Sequence, residues 1–102
     1  MSRTGCVYAL VDPRTKAIHY IGQTIQHVSK RYKEHWGSYS PNNTVHFWFE
    51  ELRALGLDPE LRILEEPVNA TDLKMRERYW IAWALGCGEP LMNLLTYGAK
   101  RR

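Results

Sequence analysis

Apolar and polar positions change period several times along the chain, and each change marks an element. Cys6 to Val11 and Ala17 to Ile21 are rich in β-branched and aromatic residues, and Asp12-Pro13-Arg14-Thr15-Lys16 between them has turn composition. The pattern predicts a β-hairpin. A symmetric turn sets Val11 against Ala17, Leu10 against Ile18 and Tyr8 against Tyr20, with both phenols on one face. A slip of one residue would put them on opposite faces.

Gly22-Gln23-Thr24 then reads as a turn and helix cap. Val28, Tyr32 and Trp36 recur at every fourth position and predict a helix, with His27, Arg31 and His35 on the adjacent stripe. A loop through Ser38, Pro41 and Asn43 leads to a second helix with Val45, Trp48, Leu52 and Leu55 inward and Gly56 as its stop. Leu61 to Glu65, between Pro59 and Pro67, has the length of a third strand, and a longer helix runs from about Thr71 to Leu85 before Gly86. The expected fold class is α+β: one small domain over 1–102, its core about 5–95 and a short basic tail over 96–102, with a three-stranded antiparallel sheet flanked by helices.

The last helix carries an anomaly. At 100° per residue, Leu73, Glu77, Trp80 and Ala84 share a narrow sector with Ile81 beside it, so Glu77 sits in the stripe that should face the core. A buried carboxylate is costly unless it is paired or holds a cation. Pairing with Arg53, Arg62 or another base and binding a metal are equally open on the residues alone.

Composition removes whole classes. The 102 residues, 44% apolar with four Trp, six Tyr and two Phe, are those of a globular chain rather than a disordered one. No apolar run approaches the roughly 18 residues of a membrane span, and the start lacks a signal-peptide core. Cys6 and Cys87 form no C-x-x-C pair, which argues against a zinc ribbon or disulfide scaffold and for buried thiols in a reduced, intracellular, cytoplasmic protein. Net charge is only +3, but residues 1–48 hold six Lys/Arg against two acids and all four histidines, whereas 49–99 hold five against nine. The first half and the Lys100-Arg101-Arg102 tail are therefore the candidate anion-facing surfaces.

These residues in this order resemble the catalytic domain of the GIY-YIG nucleases. The carriers are Cys6-Val7-Tyr8, then Tyr20-Ile21-Gly22, then Arg31 and His35 one turn apart, then Glu77 on a later helix and Asn93 near the end. One departure is Cys6, where the family usually has glycine; Gly5 stands one place early. The resemblance covers about residues 5–95 and implies hydrolysis of DNA phosphodiesters by a one-metal mechanism, with a single divalent ion, Mg²⁺ or Mn²⁺, bound by Glu77. It further implies Arg31 on the transition-state charge, a tyrosine general base, with Tyr8 the first choice and Tyr20 bonding the attacking water or the scissile phosphate, two assignments that the residues alone do not separate, and supporting parts for His35 and Asn93. Arg3, Lys30, Lys33, Lys100, Arg101 and Arg102 are candidates for phosphate contact, and no added DNA-reading domain is evident, so low intrinsic sequence specificity is expected unless a partner protein, a dimer or a DNA structure supplies targeting. The rival expectation is a catalytically idle nucleic-acid-binding or adaptor module of the same fold. A third is an interaction domain without nucleic acid, which leaves Glu77 unexplained.

Overall fold

The computed structural model describes residues 3–25 and 44–92. The expected helix bearing Arg31 and His35, together with Lys30, Lys33, Asn93, Lys100, Arg101 and Arg102, lies outside them. The described elements, in chain order, are β1 (Thr4–Val11), β2 (Ile18–Thr24), α1 (Thr44–Ala54), β3 (Glu60–Asn69), a 3-10 turn (Ala70–Asp72) and α2 (Leu73–Gly86). The class is α+β, and the three strands form one antiparallel sheet in the order β2-β1-β3.

The central strand explains the architecture. Cys6, Tyr8 and Leu10 of β1 are buried against Val45, Trp48, Phe49 and Leu52 of α1. The alternate residues Val7, Ala9 and Val11 are buried with Ile18, Ile21, Leu91 and α2's Ile81 and Ala84. A strand apolar on both faces must be covered on both, so the two described helices sandwich the sheet. Truncating a fully buried anchor such as Leu52 to Ala costs about 2–5 kcal/mol in sites of this kind.

The hairpin forms, with a different register from the symmetric one. Asp12 N–H donates to Ala17 O at 2.9 Å, Lys16 N–H donates to Asp12 O at 2.7 Å, and Lys16 takes a left-handed φ of 66°. An irregularity between Leu10 and Val11 absorbs the extra length, so Leu10 faces Tyr20 and Tyr8 faces Gly22 rather than Tyr20. The slip is two residues, which preserves the face. Gly22, Gln23 and Thr24 accordingly continue β2 instead of forming a turn.

Other boundaries moved for local reasons. α1 closes as expected at Gly56 (φ 73°), with Leu57 N–H donating to Leu52 O at 2.9 Å, but Leu55 is exposed. β3 runs past Pro67, which an edge strand tolerates because its outer side needs no ladder donor. Gly86 lies inside α2, and the left-handed residue that ends it is Gly88 (φ 83°). That ending leaves Cys87 exposed, so of the two thiols only Cys6 is buried. No helix among the described residues is long and apolar enough to cross a membrane.

Candidate active site

β1 and β2 bring the two phenols together. Tyr8 and Tyr20 point to the α1 side of the sheet, with ring centroids 6.4 Å apart and planes tilted by 42°. Tyr8 is fully buried, whereas Tyr20 is half-buried at the margin of the α1 cluster. The register lays the Tyr8 ring across Gly22, where a Cβ would meet Tyr8 Oη at 2.6 Å. Only glycine fits there. One strand end away, a Cβ on Gly5 would stand 2.1 Å from Thr24 O, so the close backbone approach in this chain falls at Gly5, and Cys6 buries its thiol in the core.

Glu77 occupies the core-facing stripe of α2, one turn from buried Leu73 and one turn from buried Ile81. It is half-buried, and among the described residues its carboxylate makes no hydrogen bond and no ion pair. Burial pushes its carboxyl above the usual range, partly offset by the charges of Lys74 and Arg78. Arg53 is paired with Glu50 at 3.4 Å, and neither Arg53 nor Arg62 forms an ion pair with Glu77. The contrast with Glu65 is informative. Glu65 Oε1 accepts from Trp80 Nε1 at 2.9 Å and from Arg76 Nε at 2.8 Å, which hold its carboxyl below the usual range. Of the bases on α2, Arg76 is engaged by Glu65, and Lys74 and Arg78 act on Glu77 through their charge without bonding it.

The phenols and Glu77 approach the sheet from opposite faces. Tyr8 and Tyr20 lie with α1, and α2 covers the other side, packing chiefly on β2. Ala70 N–H donates to Arg3 O at 2.9 Å, and Cys6 pairs with Thr24, so α2 begins at the end of the sheet where β2 finishes. Its far end is pinned to the start of β2, with Ile18 N–H donating to Glu89 Oε1 at 2.9 Å and Met92 N–H donating to His19 O at 2.7 Å. The first half of α2, with Glu77, and the Tyr8–Gly22 crossing therefore flank the same end of β2. β2 is an edge strand among the described elements, and its edge is the one nearest to both the phenols and α2.

A second polar cluster escaped the sequence reading. Asp12, in the expected turn, is 1% exposed; it accepts from Arg14 N at 2.8 Å, Arg14 Nε at 3.0 Å, Arg14 Nη2 at 2.7 Å and Trp48 Nε1 at 3.0 Å. Arg14 also reaches Glu51 on α1 at 2.9 Å. These bonds hold the Asp12 carboxyl far below the usual range and keep Arg14 charged. His19 stacks on Trp48 at 4.7 Å with planes 4° apart, and burial pushes its imidazole down. The cluster ties the hairpin to α1, and Trp48 is a core residue as its spacing predicted. The only advance signal was Trp48 itself, since a buried indole N–H needs an acceptor.

Arg3 is exposed at the start of β1. No group of three or more His, Cys, Asp or Glu that could hold a metal occurs among the described residues. A lone carboxylate still fits a magnesium-like ion, which keeps several waters and takes one or two protein oxygens plus substrate phosphate. Comparison of the chain with family models, curated proteins and solved structures finds no match.

Proposed function

We propose that this protein is a metal-dependent DNA endonuclease of GIY-YIG type. The observation that carries the reading is Glu77: a half-buried carboxylate on a core-facing stripe with no partner among the described residues. Such a group costs stability, and a cation held there with phosphate is the simplest use that offsets the cost. Glu77 is assigned to hold one Mg²⁺ or Mn²⁺. When bound, that ion would neutralise charge on the phosphate oxygens and acidify a water.

The remaining assignments concern this chain's own side chains. A base must reach water, and Tyr20 is half-buried whereas Tyr8 is fully enclosed, so Tyr20 is the better proton acceptor and Tyr8 the residue that fixes β1 over Gly22. A phenol with an ordinary pKa of about 10 serves as base only beside cations that favour the phenolate. Arg31 is assigned to that electrostatic role and to the charge that builds on the non-bridging oxygens. His35 and Asn93 are assigned to orientation.

The idle-module reading is favoured by one observation, the placement of phenols and Glu77 on opposite faces of the sheet. Supercoiled plasmid incubated with the protein, with and without Mg²⁺ or Mn²⁺, separates the readings. Nicking that requires the ion supports the nuclease. No nicking, with DNA binding that weakens steeply with salt, supports the idle module, and binding indifferent to salt supports neither.

A further inference from the structure

α2 is apolar on both sides. Its inner face carries Leu73, Ile81 and Ala84, yet Met75, Tyr79 and Trp83, spaced one turn apart on its outer face, are 60%, 51% and 42% exposed, and Leu85 is 38% exposed. A helix on the surface of a small domain normally turns charge to water there; one that is apolar all round is normally covered. Met, Tyr, Trp and Arg are also the residues enriched where proteins meet.

The rings are not set out for stacking on bases. Tyr79 meets Trp80 edge to face at 5.4 Å and 89°, Trp80 meets Trp83 at 5.3 Å and 78°, and the Arg76 guanidinium already covers the Tyr79 ring at 4.4 Å. Interlocked rings present an edged surface suited to side-chain packing, whereas nucleobases need an open flat face.

The charges of α2 point to the occupant. Its first turns carry Lys74, Arg76 and Arg78, with no acid in the first turn, and no base in the last. Asp72 at the N-cap offsets part of that positive charge, whereas no base of the last turn compensates the C-terminal carbonyls. An antiparallel copy of the same helix supplies the missing charge, because the partner's Lys74 and Arg78 then lie along that C-terminal turn. We propose that the outer face of α2 is a two-fold interface between two copies of this chain, with Met75 of one packed near Gly86 of the other and Tyr79 and Ala82 about the axis. Such a contact is isologous and closed. It leaves Glu77, which faces its own sheet, outside the interface, so the inference stands apart from the proposed nuclease activity.

Sedimentation equilibrium of the whole chain tests it. The expected mass is twice 12.0 kDa, with Met75→Glu weakening association by about a hundredfold and Arg78→Glu by about tenfold. Both positions are exposed, so unchanged circular dichroism and melting temperature separate lost association from lost folding. In a Cys87→Ser background, Met75→Cys with Gly86→Cys should form interchain disulfides, and Met75→Cys alone should not. A monomer at every concentration overturns the proposal, as do cross-links through Met75→Cys alone, which would mean parallel pairing. A monomer whose Met75→Glu form loses affinity for a single-stranded oligonucleotide overturns it in favour of nucleic acid.

Discussion

Tyr8 and Gly22 occupy one space: the phenol lies where a side chain at position 22 would begin, 2.6 Å from Oη and 2.7 Å from Cζ. Gly22→Ala should therefore destabilise by about 2 kcal/mol, the usual cost of forcing an added methyl into a packed site. In a Tyr8→Leu background the same change should cost less than half as much, because the nearer ring is gone and only Tyr20 Cε2, at 3.0 Å, still crowds the added methyl. Urea unfolding of the four proteins gives the cycle, and equal costs in both backgrounds would contradict the steric account.

The Asp12 cluster sets an acid limit. Bonds from Arg14 and Trp48 hold this carboxyl below its unfolded value of about 3.9, so their stabilisation is fully present above that pH and is lost as pH falls toward the folded value. Asp12→Asn should cost about 2 kcal/mol at neutral pH, within the range for buried hydrogen bonds to a charged group, and the gap from the native protein should narrow below about pH 4. Unfolding measured across pH checks this. A gap independent of pH would mean that the charge of Asp12 is not what the cluster uses.

His19 adds a separate loss at milder acidity. Its folded imidazole is pushed down by burial beside Trp48, so the unfolded chain binds the proton first and stability falls as pH drops through about 6.5. His19→Gln should flatten the stability curve between pH 7.5 and about 5.5 while leaving the Asp12 loss in place. A native curve already flat over that window would remove His19 from the pH dependence.

Much of the scaffold was readable in the residues because it rests on local composition and period. The hairpin and both described helices follow from residue composition and from helical spacing, the third strand from its short length between prolines, and buried Leu73, Ile81 and Ala84 follow from the same wheel that singled out Glu77. What failed depended on geometry that period does not encode. The left-handed Lys16 and the irregularity after Leu10 shifted the register by two, so Tyr8 met Gly22 and not Tyr20; parity alone kept the phenols on one face. The bond from Trp48 Nε1 to Asp12 spans 36 positions, and the indole's need for an acceptor did not say which acceptor would meet it. The composition that gave the strands could not say which helix would cover which face, and that choice sets the phenols apart from Glu77.

If Tyr20 is the proton acceptor, Tyr20→Phe should lower cleavage by at least about a hundredfold and remove the rising alkaline limb of the rate profile. Tyr8→Phe, altering a fully enclosed phenol, should keep that limb and change mainly stability. Rates on a defined duplex from pH 6 to 10 distinguish them. Loss of the limb in Tyr8→Phe with its retention in Tyr20→Phe would exchange the two assignments.

Glu77, half-buried and without a partner among the described residues, is the proposed seat of the ion, and Glu77→Gln tests that role with almost no change of shape. In plasmid nicking with Mg²⁺ or Mn²⁺, this variant should lose activity by about a thousandfold or more while melting at the same temperature as the native protein or higher, since a neutral amide is cheaper to bury than a lone carboxylate. Nicking by Glu77→Gln at the native rate would contradict the account.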